Sequence, residues 1–472
     1  MARKIFVVIL CISGLAAKAQ QPLQFLFSHY TTASGLISNQ VNSVVQDSDG
    51  YLWVGTTDGL QRFDGIRYKT FQHKENDSTS IPSNPVWQLL VDKKKNLWLL
   101  MADGRVGVFD TRNFTFREVA TRFKKPVSPD TFVKHLIADE YGNVFYLMGG
   151  SEVITWDEKS KEFSYTHNFF RQKQDWNIAD FIQQPGTNKY WISLEHGGLA
   201  VYDRSDRTLS YPGQNTGKEL LIDEYGDRNT YYHLYFDHRN RMWSITSDVS
   251  SYIQCFDLTK EKPVIEKAEF PSYLKPFHKI EGFIQQDDGN VWVYGTLVFA
   301  KFQEANKQFQ FVSNGYQGEN SITYEVIHCL FEDREHNVWV TTDNNGLYRF
   351  NRTEEFFTNI SHQNRLSDKK GQGRLMSFTS TKWGTILAGS WMDGLYQYDS
   401  DFNLIPTNIK GIDNNSGPNV WSMYASKDSN TIWISSQPGI YAIDQAKRTS
   451  KYYNPPELGN HTIRQIAEDR DG

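Results

Sequence analysis

The chain has 472 residues, a formal net charge of −5 and dispersed Lys and Arg, which argues against the basic stripe that a nucleic-acid partner requires. Three cysteines in this length exclude a disulfide-stapled scaffold, and nothing after the first residues is long and apolar enough for a membrane helix. Aromatic residues make up 14%, enough for a repeated core with some left for amphipathic ligands such as carbohydrate.

The chain opens on Arg3 and Lys4, an apolar run from Ile5 to Ala17, and the small-x-small triplet Ala17-Lys18-Ala19. That order reads as a secretory signal peptide over 1–19, so the mature chain is expected outside the cytoplasm. Cys11 lies inside this segment; Cys255 and Cys329 sit in non-adjacent repeats and are expected to be free thiols. Gln24 to Tyr30 then reads as an outer strand with no blade of its own, which would close a ring by pairing with a last blade.

From there a fixed phrase recurs, clearest in Asp47-Ser-Asp-Gly50-Tyr-Leu-Trp53-Val-Gly55-Thr. Its anchor falls at Trp53, Trp98, Phe145, Trp191, Trp243, Trp292, Trp339, Leu387 and Trp433, a spacing of 45 to 52 residues. A glycine turn follows most anchors, as in Asp58-Gly59-Leu60 and Asn345-Gly346-Leu347, and then an aromatic-acid pair such as Phe63-Asp64 or Tyr202-Asp203. Between the turns lie short alternating runs, Val41 to Val45, Leu52 to Gly55, Leu60 to Phe63 and Tyr68 to Phe71, which read as strands. Four short strands at roughly 40–50 residues per copy is one blade of an all-β β-propeller.

The recurrent residues are read as structural. The anchor aromatic packs between blades, because one blade cannot bury its own faces. Asp47, Asp92, Asp139, Asp237 and Asp333 stand six residues ahead of the anchor and are read as acceptors for the tight turn they open. Gly50, Gly142, Gly289 and Gly384, with Asn240 as substitute, take the positive φ of that turn.

The phrase from Asn39 to Thr56 with Gly59-Leu-Gln-Arg-Phe-Asp64, repeated from Phe331 through Trp339 to Phe350, resembles the two-component regulator propeller repeat. The opening Phe27-Ser-His-Tyr-Thr-Thr-Ala-Ser-Gly35 resembles the usual start of that family's sensor region. The resemblance implies the periplasmic sensor of a hybrid two-component system of Bacteroidetes type. In such proteins two seven-bladed propellers precede a β-sandwich, a membrane helix and a histidine kinase, and oligosaccharides are the usual ligands. It further implies a homodimer formed through the complete ectodomain, membrane contact only through a C-terminal helix not seen here, and no cofactor.

Seven repeats would close one ring over 20–360, with a polar linker at 361–374 and the first blades of a second ring at 375–472. Because Gly472 aligns with Gly50, the chain reads as a fragment that ends within a tenth repeat.

Propellers bind ligands where the loops entering the innermost strands converge with those between second and third strands. Trp176, Tyr231, His196, Tyr324 and Trp391 deviate from their repeat equivalents there and are the candidate ligand contacts. No metal-spaced histidines and no G-x-S-x-G occur, so neither a metal nor a catalytic residue is assigned. A ligand sensor without catalysis is the first reading. The alternative is a secreted propeller lyase or glycosidase, whose catalytic groups would come from different blades.

Overall fold

The computed structural model describes residues 25–469 except 125–133, 149–151, 166–168, 174, 196–197, 226–231, 247–251, 269–278, 317–319, 352–373, 392–393, 401, 408, 411 and 413–418. The expected signal peptide, 1–19, lies outside this set, as does the expected linker apart from Arg374, which opens a strand. The chain divides into two compact units, Met1–Gly315 with Asn320–Phe356, and Tyr316–Glu319 with Phe357–Gly472.

Among the described residues the first unit holds seven four-stranded antiparallel blades. Blade 1 runs Val41–Gln46, Leu52–Thr56, Gly59–Phe63 and Tyr68–Phe71, in that spatial order. The innermost strands of blades 2 to 7 are Val86–Val91, Lys134–Ala138, Ile178–Gln183, Tyr232–Phe236, Lys279–Gln285 and Ile327–Glu332. Each blade touches the next, and blade 7 touches blade 1, so the ring is closed. Its outermost seventh-blade strand is Ser28–Tyr30, paired antiparallel with Leu347 to Arg349. The N-terminal strand therefore closes the first ring, a point the repeat pattern left open. Blades 2 and 3 are further joined where Glu162 to Ser164 runs parallel to Ala120 to Arg122.

The anchors explain why the ring holds. Trp53 of blade 1 packs against Val86, Leu89 and Leu97 of blade 2, and Trp98 against Leu136 and Val144 of blade 3. The pattern continues round to Trp339, which packs on Val41, Val44 and Leu52 of blade 1. Burying one Trp in this way removes about 150–250 Å² from water, roughly 4–6 kcal/mol as an upper estimate.

The acid of the phrase does two jobs. Asp47 Oδ1 accepts the turn amides of Asp49 and Tyr51, and its Oδ2 accepts the Trp53 indole N–H at 2.7 Å. Asp92, Asp237 and Asp333 hold Trp98, Trp243 and Trp339 in the same way, while Gln184 and Gln286 replace the acid under Trp191 and Trp292. The sequence supports only the turn half of this role. Blade 3 carries Phe145, which has no N–H to give. There the Tyr190 hydroxyl of blade 4 donates to Asp139 Oδ2 at 2.8 Å and fills the vacant place.

The second unit holds two blades, Arg374–Ser380, Ile386–Trp391, Gly394–Tyr398 and Leu404–Ile405, then Met423–Ala425, Thr431–Ser435, Ile440–Asp444 and Thr449–Tyr453. Leu387 takes the anchor place against Val420, Ile432 and Ile434. The innermost strand of its first blade exposes Leu375, Met376 and Phe378, the last at 80%.

Tyr190→Phe should lower unfolding stability by about 1–3 kcal/mol, because it removes one of the two side-chain hydrogen bonds to the buried Asp139 Oδ2, leaving that from Asn143, while keeping the ring's packing. Urea denaturation of both proteins checks this; an unchanged midpoint would mean that Asp139 does not depend on the neighbouring blade.

Candidate functional site

Every innermost strand enters the ring from the same end, and irregularities cluster there. The pairing of the first two strands skips one residue in blades 1, 2, 4, 6 and 7, between Val41 and Ser43, Val86 and Gln88, Ile178 and Asp180, Ile280 and Gly282, and Ile327 and Cys329. Blades 3 and 5 pair without a skip. A bulge of this kind leaves its extra residue out of the ladder and re-aims it. The extra residues are Asn42, Trp87, Ala179, Glu281 and His328.

In four of the five bulged blades the residue after the bulge sews one blade to the next; blade 6 has Gly282 there. Ser43 Oγ accepts the Leu89 N–H at 3.1 Å, and Gln88 both accepts from Leu136 N–H and donates to its carbonyl. Asp180 Oδ2 accepts the Leu234 N–H at 2.7 Å, and the Cys329 thiol receives the Val44 N–H. His135 and His233 hold the same place in the blades that lack a bulge. His135 faces Asp180 on the following blade, and His233 Nδ1 stands 3.8 Å from Asp180 Oδ2.

Inside this belt lies a cavity of about 240 Å³, lined among others by Trp87, His135, Glu281, Tyr294, His328 and Cys329. Trp87 is 40% exposed, a large apolar ring left open to the lumen and tilted toward His328 at 6.3 Å. His328 Nε2 lies 3.3 Å from Asp343 Oδ1, which also accepts from Gln40, and Glu281 pairs with Lys279 at 3.0 Å.

Desolvation by the surrounding blades sets the charge state of the belt. It pushes the His135 imidazole, which is exposed to the lumen, below its ordinary value, opposed by Asp180 and aided by His233. It lowers His233 too, with Lys279 adding to the effect and Glu281 opposing it. Asp180 is raised by burial, against the Leu234 N–H and His135. Tyr294 is held well above the ordinary phenol range, first by burial. Cys329 is pushed up to about 11 by burial and Cys255 is raised as well; both are free thiols in a protonated, unreactive state.

The residues picked from sequence are distributed differently. Trp176 is buried in the core between blades 3 and 4, edge-on to Tyr211 at 5.7 Å. Tyr324 is buried between blades 6 and 7, its backbone held at both ends by the Asn314 amide. Trp391 is half-buried in the second unit, 6.1 Å from Trp421. Tyr231 and His196 lie outside the described residues. Asn39 and Asn84, on the entering loops, cap the neighbouring amides of Thr32 and His73. The lumen residues Trp87, His135, Glu281 and His328 were missed. The spacing to the anchor gives no sign of them, since Gln88 after the bulge of blade 2 and His135 in unbulged blade 3 both stand ten residues ahead of their anchors.

A closed seven-bladed β-propeller with a polar, aromatic-bearing lumen is the class this geometry defines. Two stretches of it, residues 35–58 and 321–344, match the two-component regulator propeller repeat. The chain is similar to histidine kinase P4 of Formosa agariphila, 40% identical over 75 residues that cover 16% of this chain and 5% of that protein. Two structures from B. thetaiotaomicron, described as extracellular domains of hybrid two-component systems, share the fold at 16% identity. The one named BT3049 has a TM-score of 0.59 over 92% of this chain and 61% of its own. The one named BT4673 has a TM-score of 0.51 over 91% of this chain and 53% of its own. Among the described residues no helix is long and apolar enough to cross a membrane.

Because the folded state keeps His135 and His233 neutral below the unfolded value near 6.5, the unfolded chain takes up their protons first on acidification. Stability from this source is complete above pH 6.5 and is lost as pH falls from there through the folded values. Thermal unfolding at pH 7.5 and 5.5 should show a drop at the lower pH that the His135→Gln, His233→Gln double variant reduces. An equal drop in both proteins would remove the belt from the explanation.

Proposed function

We propose that this chain is the periplasmic, ligand-sensing part of a two-component receptor, exported by its signal peptide. In this reading the ring binds an oligosaccharide or another small polar ligand, and a homodimer passes the event to a histidine kinase region. The supporting observation is the row of bulges at one end of the ring. The anchors repeat because they pack blades, whereas the bulged positions differ from blade to blade as Asn42, Trp87, Ala179, Glu281 and His328. A position freed from packing and turned toward a cavity is where recognition can vary without cost to the fold.

The cavity of about 240 Å³ lies just below the roughly 300–1,000 Å³ usual for small-molecule sites. It takes the terminal unit of an oligosaccharide, with a sugar face on the Trp87 ring and hydroxyls on Glu281 and His328. Tyr231, His196 and, within the second unit, Trp391 remain proposed ligand contacts, while the Trp176 and Tyr324 rings are engaged in packing. No catalysis is assigned to these residues.

Thermal-shift screening and calorimetry of the purified chain against an oligosaccharide panel test the reading. One glycan class is expected to raise Tm, and Trp87→Ala should weaken its binding about tenfold, in line with about 1.4 kcal/mol for a lost aromatic contact. Unchanged affinity in Trp87→Ala would move the site out of the lumen, and turnover of a bound glycan would favour an enzyme instead.

A further inference from the structure

On the opposite end of the ring, the turns of neighbouring blades are held by a repeated side-chain clamp. Gln46 of blade 1 accepts the Arg334 N–H from the turn of blade 7 and donates its amide to the Gly50 carbonyl of its own turn. Gln183 does the same with the Glu140 N–H and the Thr187 carbonyl, and Gln285 with the His238 N–H and the Gly289 carbonyl. One side accepts from the preceding blade, and the other donates to its own blade.

Blade 7 departs from this clamp at two positions together. Glu332 replaces the glutamine, and His336 stands where blades 1 and 6 have Gly50 and Gly289. Glu332 Oε2 still accepts the preceding turn's amide, here Asp287 N–H at 2.8 Å. A carboxylate has no donor for the turn carbonyl, so its other oxygen, Oε1, faces His336 Nδ1 at 3.4 Å. Asp287 Oδ2 comes within 3.5 Å of the same nitrogen. Ligand atoms of all three side chains lie within 4.8 Å of one another. One ring nitrogen can give a proton to only one of two acceptors, so two carboxylates around it leave negative charge uncompensated. His336 holds a φ of 61°, as Lys95 and Asn240 do at the same place in blades 2 and 5. The replacement thus removes the bond to the turn carbonyl that glutamine makes in blades 1 and 6, and it leaves a donor set in that place.

We propose that Asp287, Glu332 and His336 form a divalent transition-metal site that ties the turn of blade 6 to that of blade 7. One imidazole nitrogen and two carboxylates are the mixed donors that zinc takes, with a fourth position open to solvent. The set brings together residues 45 and 4 apart (287 to 332, 332 to 336), so the ring closure of blades 6 and 7 assembles it.

The test is zinc titration of the whole chain, stripped with chelator, by calorimetry and thermal unfolding. The wild type is expected to bind one equivalent at this site and to gain Tm with zinc. The Glu332→Gln, His336→Gly double variant rebuilds the clamp of blades 1 and 6, so it should fold at least as well without metal and lose the zinc response. Absence of zinc binding by the wild type, or an equal response in the rebuilt variant, would overturn the proposal.

Discussion

The ring depends on one interaction made seven times: the anchor side chain of each blade is buried in the face of the next. A four-stranded blade has two faces and too little chain to cover either, so its stability is borrowed from its neighbours. Trp53, Trp98, Trp191, Trp243 and Trp292 are 0–1% exposed for this reason, and Trp339 is 3% exposed against blade 1. Closing the circle is then a matter of edges as well as faces. The strand Ser28–Tyr30 supplies the missing outer strand of blade 7 from the other end of the sequence, while Phe25 and Phe27 pack against Phe350 behind it. Cys255 and Cys329 remain free, so no covalent staple takes part.

A polar bond fixes how each anchor sits. The indole N–H must find an acceptor once the ring is buried, and the turn acid six residues earlier provides it with the oxygen that the turn does not use. Blade 3 shows that the need belongs to the acid as much as to the indole. With Phe145 in the anchor place, Asp139 is still buried, and Tyr190 of the next blade supplies the hydrogen. At blade 3, packing and the hydrogen bond to the acid therefore both cross to the next blade, whereas the acid–indole bonds of the other anchors stay within their own blades.

How much of this was legible in the sequence follows from the same physics. Blade count, strand order and the positive φ at Gly50 and Asn240 could be read because every copy needs them, and repetition exposes what is needed. The second role of the acid could not be read, because an acceptor for a turn and an acceptor for an indole require the same side chain. The candidate site was harder. Choosing residues by their deviation from the repeat selected Trp176 and Tyr324, which deviate because a local gap in the core must be filled. Trp87 and His328 deviate for another reason: a bulge turns them out of the ladder. The spacing to the anchor is the same in bulged and unbulged blades, so the sequence does not distinguish the two cases.

The two ends of the ring are thus held by different devices. Polar bonds between successive inner strands surround the lumen at the entry end, and glutamine clamps join the turns at the other. Between them the blades are fixed by their anchors, which leaves the bulged positions free to carry chemistry. The most direct test is a crystal structure of the protein with the glycan that most raises its Tm. Density for a sugar ring over Trp87, within hydrogen-bond reach of Glu281 and His328, is the expected result. A ligand bound elsewhere, with the lumen unchanged, would contradict it.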